Sequence, residues 1–534
     1  MQKLPPVCAM FLTKFDVHKG YELKWFKSLD DELYPKNDLE FKSIPSGLHS
    51  IQTDSICFMQ PKGDLNTFLY GISIFRQNNH LQQIDNNGTV DRDKVKLYSL
   101  GILIDPLHLE SIDEYNNWKP KTYSVAWKYK SELSQLLSNF MNLINEEQEE
   151  EFLNKFNKFF SEHCYKSKLN SPILSISNDN NININKLDIP QLTNVKSNTT
   201  SLSDEDFKSD HMIDSLIPFV NNFGPLIFKI WKISLLRKAI ILYSPYNSSS
   251  IIVDGNEEIK HSNFTIGDMS KFLFCISLIS SIPKELEDKL TRSINGNINN
   301  LLFNRPIYNV CVNDIFQLVK LDTNYLASTT DQIIIEKDNL YDYSIKLPLN
   351  LNDQSLNIPE ILNSTTNKIE YATPKDFEKF KILYSKLNHT NDLLPIASKV
   401  SDIRSIQELI WNGLSWWATA GESYKSINEE FNIEFEYFDN LSNDNIDKLI
   451  TLVGYFQTLT IKLFTVVIDL IDRYDNELSI ENNSILILDA HDIQEMGLDP
   501  YSSSDCEFVI NFIKIWWKRD VKIGNYFNGL CYWN

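Results

Sequence analysis

The side chains that could carry covalent or metal chemistry are few and scattered along the chain. None of the seven cysteines stands in a C-x-x-C pair, and the nine histidines show no ligand-like spacing. The sequence lacks a G-x-x-x-x-G-K-[ST] phosphate loop, a G-x-G-x-x-G turn, a G-x-S-x-G elbow and an H-E-x-x-H motif. His491 and Asp492 are neighbours at a predicted helix start, where capping is the better interpretation. We therefore predict no catalytic residue, cofactor or metal site, and we favour an interaction protein over an enzyme with covalent catalysis.

The excess of acidic over basic residues limits which classes of molecule the protein can bind. The chain has 534 residues, with 51 Lys and Arg against 71 Asp and Glu, which is a formal net charge of −20. Such an acidic surface repels phosphate backbones and anionic lipid, so we predict no nucleic-acid partner and peripheral membrane contact at most. The start of the chain shows no secretory signal, and several cysteines lie in apolar runs typical of buried, reduced thiols. These features favour a cytoplasmic protein that reaches endomembranes through a partner.

One apolar stretch, residues 449–471, is long enough to cross a membrane. It also contains Gln457, Lys462 and Asp469. Ionised groups near the middle of a membrane helix cost about 2.5–3.5 kcal/mol each on insertion scales. We therefore interpret the stretch as a buried core helix.

The first hundred residues have the pattern of β-strands. Residues 8–17 are mostly apolar and residues 21–26 alternate, and the tight turn between them predicts an antiparallel hairpin. Three further strands are predicted at 55–59, 68–75 and 95–104. Helical three-four spacing begins near Trp127 and predicts helices up to about residue 165.

A change in composition marks the clearest boundary. Residues 166–210 are rich in Asn, Ser and Asp and hold too little apolar surface to compensate for chain ordering, so we predict a disordered linker.

The region from 211 to 372 reads as α/β. Its predicted elements are helices at 225–236 and 269–282 and strands at 240–243, 308–312 and 333–335.

From residue 373 to 534 the pattern is helical. Candidate helices cover 374–387, 402–420, 445–474, 490–496 and 505–518, and Gly497 stands where a C-cap glycine belongs. The sequence thus predicts an α/β protein with units at 1–165, 211–372 and 373–534, separated after the first by the linker at 166–210.

Several short segments carry a resemblance to a known family. They occur at 15–20, 41–52, 223–245, 327–342 and 496–500. In order and spacing they resemble the DENN family of Rab-directed proteins, and specifically its LCHN-like branch. The linker and residues 388–483 depart from the family's pattern.

The resemblance implies a bilobed architecture. A longin-like N-terminal lobe (the upstream DENN part) would occupy 1–165. A central DENN α/β lobe would occupy 211–372, followed by a helical downstream DENN portion at 373–534.

The resemblance also implies an activity. DENN proteins typically act as guanine-nucleotide exchange factors for Rab-family small GTPases in vesicle traffic, and such a factor breaks no covalent bond. It stabilises the nucleotide-free GTPase through a surface that holds the switch loops open. We expect that surface in the groove between the lobes.

Two other readings stay open. The first is a non-catalytic scaffold or adaptor in membrane traffic that pairs its longin lobe with another longin-containing protein. The second is a hydrolase whose nucleophile and base meet only in the fold.

The candidate partner-binding residues lie in or beside the family segments. They are Asp16, Lys42, Ser46, Gly47, His49, Arg237, Lys238, Thr330 and Asp331. Asp16 follows a buried strand, so it is either a hairpin residue or a contact.

Other candidates have structural alternatives as well. Residues 45–47 could simply set the chain direction through turn chemistry. For Arg237 and Lys238 we favour a helix C-terminus, where the dipole attracts cations. For Thr330 and Asp331 we favour helix N-capping.

Overall fold

One eleven-stranded sheet runs through both halves of the chain in the computed structural model. The structure describes residues 5–16, 18–45, 51–62, 67–77, 96–110, 123–142, 146–165, 211–244, 249–253, 256–260, 264–294, 298–321, 324–348, 359–388, 445–477 and 485–524. Strands from residues 9–104 form one side of the sheet, and strands from residues 240–370 form the other. The predicted α/β class is confirmed.

The first half of the sheet is antiparallel. Its strands are β1 (Ala9–Asp16), β2 (Gly20–Ser28), β3 (Thr53–Lys62), β4 (Thr67–Gln77) and β5 (Leu97–Ile104). They lie in the order β3-β4-β5-β1-β2, so the predicted hairpin and the three further strands are confirmed. Gly20 has a φ of 82° in the hairpin turn, a conformation that glycine adopts without strain.

Two glycines let aromatic rings lie flat on this half of the sheet. A Cβ on Gly71 would stand 2.6 Å from the Phe58 ring, and a Cβ on Gly101 would overlap the Phe11 ring. The two rings pack edge to face at 6.2 Å. The close approach of ring to backbone therefore requires glycine at both positions.

Helices cover this half of the sheet. They are α1 (Leu39–Lys42), α2 (Pro106–Glu110), α3 (Lys130–Met141) and α4 (Glu146–His163). α3 packs on β4 and β5 with Leu133, Leu137 and Phe140 buried, which is the face that the three-four spacing predicts. α4 packs against β2, where the Phe156 and Trp25 rings lie 5.7 Å apart.

The second half of the sheet has a parallel centre. Its strands are β6 (Ile240–Tyr243), β9 (Arg305–Asn309), β10 (Tyr325–Thr329), β11 (Tyr343–Lys346), β12 (Glu360–Asn363) and β13 (Lys368–Glu370), with β7 (Ser249–Val253) and β8 (Asn256–Lys260) forming a separate hairpin. β11, β6, β10 and β9 run parallel, and β12 and β13 extend the edge antiparallel.

The helices of this half differ in how deeply they are buried. They are α5 (Leu216–Phe223), α6 (Leu226–Leu235), α7 (Ile266–Ile279), α8 (Lys284–Ser293), α9 (Ile315–Lys320) and α10 (Gln332–Ile335). Every residue of α6 is buried, which explains why its sequence is apolar nearly all round.

The strand predicted at 333–335 is wrong. These residues belong to the short helix α10, in which Ile334 is buried and Ile333 is exposed. The backbone N–H of Asp331 donates to the Thr329 hydroxyl at 3.1 Å, and this turn leads from β10 directly into α10. A run of three isoleucines has high β-propensity, but the local turn decides otherwise.

The two halves of the sheet meet between β3 and β9. A single residue pair, Phe58 and Tyr308, joins these strands, and α7 packs against both of them. The carboxylate of Asp54 on β3 accepts the N–H groups of Ile266 at 2.9 Å and Gly267 at 3.1 Å, the first residues of α7. The halves expected from the resemblance therefore touch along one seam, and they share a continuous sheet.

The C-terminal portion is mainly helical, as predicted. Its elements are α11 (Pro374–Asn388), α12 (Asn445–Glu477), α13 (Ala490–Glu495), α14 (Ser503–Trp517), β14 (Leu486–Leu488) and β15 (Val521–Ile523). Gly497 has a φ of 77°, which confirms the predicted C-cap after α13. The helix predicted at 402–420 and the linker at 166–210 lie outside the described residues.

α12 is long and apolar enough to cross a membrane by length and composition, and a bent pair, α7 with α8, passes the same test. Half of the apolar window of α12 is buried inside the protein. Leu452, Phe456, Leu463 and Phe464 are fully buried. This packing supports the interpretation of α12 as a core helix.

Candidate docking surface at the seam

A buried ion pair fastens the two halves together beside the seam. Lys42, the last residue of α1, lies 2.7 Å from Asp314, which ends the short 3-10 helix Val312–Asp314 after β9. The Lys42 ammonium also donates to the carbonyl of Met59 at 2.9 Å. The side chains of Lys42 and Asp314 are both buried. Lys42 therefore joins the two halves, and it is not exposed to a partner, contrary to the prediction that it binds one.

The end of the first hairpin faces the second half of the molecule. The Tyr21 ring lies 5.0 Å from Phe15 and 5.4 Å from Phe41. Burial raises the pKa of the Tyr21 phenol, and the nearby Asp331 carboxyl and Cys311 thiol raise it further. β1 runs in the same direction as β10, so the hairpin turn beside Tyr21 lies at the same end of the sheet as the carboxyl end of β10.

Asp16 closes the hairpin turn. Its carboxylate accepts the backbone N–H groups of His18 at 3.0 Å and Lys19 at 3.2 Å, and it pairs with Lys14 at 3.0 Å. The bond from Lys14 and those from the backbone lower the pKa of Asp16. Asp16 is thus a hairpin residue, and its position at the tip of β1 puts it at the same end of the sheet as Tyr21.

Thr330 and Asp331 follow β10 at the carboxyl end of the parallel strands, and both are partly exposed. Asp331 occupies the N-cap position of α10, but its side chain makes no capping bond to the described backbone of that helix. Asp331 therefore has the predicted N-cap position but not the side-chain hydrogen bond of an N-cap.

Exposed apolar side chains follow β9 and β10 at the carboxyl end of the parallel strands. Val312, Phe316 and Val319 fall on one face of α9 and of the turn before it, and Phe316 and Val319 are 67% and 60% exposed. Lys320 lies 3.8 Å from the Phe316 ring centroid, and Ile333 on α10 is also exposed.

We call this region the seam surface. Both halves of the chain contribute to it: Asp16, Tyr21, Phe41, Val312, Phe316, Val319, Thr330, Asp331 and Ile333. Apolar groups that are exposed together, with polar neighbours, are typical of sites that bind another protein. The sequence motifs pointed to Asp16 and Asp331. Phe316 and Val319 carried only a weak signal, their three-residue spacing within a short helix, and Tyr21 carried only the alternation of its strand.

Arg237 and Lys238 lie elsewhere. β6 begins at Ile240 and runs parallel to β10, so residues before β6 and residues after β10 lie at opposite ends of the sheet. Arg237 is buried, and its guanidinium donates to the carbonyls of Leu301, Ser234 and Ser280 at 2.6–3.1 Å. Its predicted partner contact is therefore wrong, and the favoured helix-end reading agrees with the bond to Ser234.

Lys238 makes a structural ion pair. It lies 3.0 Å from Asp342, whose carboxylate also accepts the N–H of Ala239 at 2.8 Å. The pair holds the start of β6 to the start of β11.

Ser46, Gly47 and His49 lie outside the described residues. The chain that leads to them is anchored at Ser43, whose hydroxyl lies 2.8 Å from that of Thr13 and whose carbonyl accepts the Ser73 hydroxyl at 3.1 Å. These three candidates stay predictions.

Within the described ranges, one trio of potential metal ligands lies close together: Asp489, His491 and Asp492. The carboxylates of Asp489 and Asp492 accept each other's backbone N–H groups at 2.8–2.9 Å at the start of α13. This capping box confirms the preferred interpretation of that segment.

Comparisons with known proteins agree with the segments that the sequence singled out. The profile of the family described as DENN domain-containing protein 11 matches residues 10–356, and a domain of unknown function (DUF4484) matches residues 478–533. The uncharacterized protein ANR2 of Saccharomyces cerevisiae is 26% identical over 98% of this chain and 93% of its own length.

Vertebrate relatives match a shorter region. DENN domain-containing protein 11 of Danio rerio is 23% identical over 64% of this chain and 53% of its own length. The protein of that name in Mus musculus is 22% identical over 63% of this chain and 56% of its length. The chain thus spans about half the length of these relatives. With the family profile covering most of the sheet and both sides of the seam, the chain belongs to the DENN domain-containing protein 11 family.

Proposed function

We propose that the chain is a guanine-nucleotide exchange factor for a Rab-type small GTPase in vesicle traffic, and that the seam surface docks the GTPase. Members of the DENN family generally act in this way. The observation that carries the proposal is the composite surface itself, in which exposed apolar groups from both halves lie at the end of the sheet that also carries Asp16 and Asp331.

The proposed activity needs a binding surface and no reactive side chain. A protein that prefers the nucleotide-free GTPase weakens nucleotide binding by the same factor, because the two binding equilibria are linked. Each 1.4 kcal/mol of preference is about tenfold in nucleotide affinity. A standard interface of about 800 Å² on each partner is large enough to supply several such factors.

The side chains of the seam surface suit this task. Large exposed apolar residues such as Phe316 act as anchors when a partner covers them, and peripheral charges steer association. Asp16 and Asp331 favour a GTPase surface that presents Lys or Arg. Because the ion pair of Lys42 and Asp314 fixes α1 to the turn before α9, both halves can meet the partner as one rigid face.

The test is a nucleotide-release assay over a panel of Rab GTPases loaded with a fluorescent GDP analogue. We expect catalytic amounts of the full chain to accelerate release from one or a few members. Absence of acceleration and of binding across the whole panel would refute the proposal.

A pair of matched variants locates the site. Phe316→Ala should lower the rate of release from the responsive GTPase about tenfold, because an interface anchor contributes roughly 1–2 kcal/mol. Ile487→Ala on β14 is the control, since Ile487 is 60% exposed and its strand pairs with β15 in a small sheet separate from the eleven-stranded one. If both variants lower the rate of nucleotide release equally, the seam surface is not the docking site.

The second candidate is a non-catalytic scaffold or adaptor in which the first half pairs with another longin-containing protein. Among the described strands, β2 is the outermost on that side of the sheet, so its edge can accept a further strand. A register shift opposite Leu12 and Thr13 and the charges of Lys24 and Lys27 blunt this edge, which weakens the alternative. Stable GTPase binding without faster release would favour the scaffold.

We also propose that the protein resides in the cytoplasm and is recruited to endomembranes by its GTPase. Fluorescently tagged full chain should move to a membrane compartment when the responsive GTPase is overproduced there, and Phe316→Ala should not.

A further inference from the structure

A buried charge cluster connects three helices in the second half of the molecule. The Lys232 ammonium on α6 lies 2.6 Å from Asp376 on α11 and 2.6 Å from Asp505 on α14. All three side chains are almost completely buried. Burial alone would lower the pKa of Lys232, but the two carboxylates outweigh it and raise that pKa.

Each carboxylate of the cluster also organises a helix start. Asp376 is the third residue of α11 and exchanges bonds of 3.1–3.2 Å with Thr373, which is a capping box. Asp505 receives the N–H of Asp499 at 2.9 Å, and its own N–H donates to the Ser502 hydroxyl at 3.4 Å. Lys232 thus ties together the N-termini of two helices that are far apart in sequence.

Indole groups from α14 make a second set of contacts with the central helices. The Trp516 N–H donates to the carbonyl of Leu235 at 2.9 Å, and the Arg237 guanidinium lies 5.4 Å from the Trp516 ring centroid. The Trp517 N–H donates to the Ser293 hydroxyl at 2.9 Å. These bonds satisfy polar groups at the end of α6 and of α8.

The contacts cross a boundary between two sequence families. Lys232, Arg237 and Ser293 lie in the region matched at 10–356, whereas Asp505, Trp516 and Trp517 lie in the region matched at 478–533. An independent domain would not place its charged and indole groups in the interior of its neighbour, because each buried polar group then depends on the other domain for its partner.

We propose that residues 485–524, the described part of the segment matched as a domain of unknown function, are an obligate part of the second half of the fold, seated on α6 through Lys232 and Arg237, and are not a separable domain. Since α6 leads through Arg237 into β6 and β6 pairs with β10, this segment supports the strand that ends at Thr329. Its task in this protein is to complete the core.

The test introduces a site-specific protease sequence between Glu477 and Ile485 of the full chain. After cleavage, we expect both pieces to elute together at the size of the uncut protein and to unfold in one transition. Separation of the pieces in native buffer, with the larger piece keeping its melting midpoint, would overturn the proposal.

A matched pair of variants tests the charge cluster in the same nicked chain. Lys232→Met should lower the melting midpoint by about 10 °C and release the C-terminal piece, because it leaves two carboxylates buried without a counter-charge. Asp520→Asn removes an exposed carboxylate of the same segment and should change neither result.

If nicked Lys232→Met keeps the parental melting midpoint and its two pieces stay associated, the proposed contact of the C-terminal segment with α6 through Lys232 is contradicted. If that variant yields no soluble chain, the neutral triple variant K232M/D376N/D505N takes its place. Because it removes all three charges together, it should fold but release the C-terminal piece more readily than the parent, and release at the parental level counts against the proposal.

Discussion

Asp54 connects the two halves through hydrogen bonds of its carboxyl group, and the pKa of that group is perturbed. Besides the N–H groups of Ile266 and Gly267, its carboxylate accepts the N–H of Ser55 at 2.7 Å. Burial raises the pKa of Asp54 from 3.8 to about 6, and the three backbone bonds only partly oppose that effect. The folded protein therefore binds this proton more tightly than the unfolded chain does.

The sign of the resulting pH dependence follows directly. The contribution of Asp54 to the free energy of unfolding is greatest below pH 4 and falls by about 3 kcal/mol as the pH rises to 6 and above. In urea unfolding, the stability difference between the parent chain and Asp54→Asn should shift in favour of the parent as the pH is lowered from 7 to 4.5. A difference that stays constant over this range would contradict the prediction, and other carboxylates cancel because both chains contain them.

Arg237 is the second residue-scale case. Its backbone has a φ of 53°, and burial lowers the pKa of its guanidinium to about 9. Arg237→Met keeps the packing of the stem but takes the guanidinium donor from the carbonyls of Leu301 and Ser280, while the Ser234 carbonyl keeps the Asn304 amide and the backbone N–H of residue 237. We therefore expect the free energy of unfolding to fall by about 3 kcal/mol. Lys238→Met should cost less than about 1 kcal/mol, since that ion pair is partly exposed. Similar losses from the two variants in urea titrations would refute this assignment.

At the scale of elements, α1 is held to the turn before α9 by the pair of Lys42 and Asp314. Lys42→Met leaves Asp314 buried and uncompensated, and we expect a loss of about 3–5 kcal/mol in the free energy of unfolding. The double variant K42M/D314N should be more stable than K42M, because it removes the orphaned charge and keeps a side chain that can accept the Cys311 N–H, now 2.9 Å away. A double variant less stable than K42M would contradict this prediction, because it would show that the uncompensated charge of Asp314 does not destabilise K42M.

The same element-level view explains the position of Gly267. A Cβ at this residue would lie 3.0 Å from the Ser55 carbonyl and 3.2 Å from the Asp54 carboxylate. The absence of a side chain lets the start of α7 approach β3 closely enough for the Asp54 bonds to form.

For the whole molecule, the seam determines how the halves unfold. Only the pair of Phe58 and Tyr308 joins the two half-sheets among the described strands, but α7 packs on both and Tyr308 donates its hydroxyl to the Tyr123 carbonyl at 2.6 Å. We expect the halves to unfold as one cooperative unit. In hydrogen exchange followed by mass spectrometry, peptides from β1–β5 and from β6–β10 should lose protection at the same urea concentration. Earlier loss in one half would mean that the halves are independently stable.

The sequence alone determined the elements that depend on local pattern. Apolar runs, period-two alternation and tight turns predicted β1 to β5, three-four spacing predicted α3 and α4, and helical patterns predicted α6 and the four C-terminal helices that the structure describes. Each signal arises from neighbouring residues that share one buried face, so no distant partner is needed to read it. The family resemblance also followed from sequence, because it rests on the order of short segments.

Tertiary structure alone decided which of the candidate residues meet. Asp16 and Asp331 come to one surface and Arg237 is buried at the other end of the sheet, although all three stand in family segments. Burial of Lys42 and Lys232 was equally invisible, because their carboxylate partners lie more than a hundred residues away along the chain. Pairing across such distances is settled by how the strands order themselves in the sheet, and that order depends on the packing of the entire core.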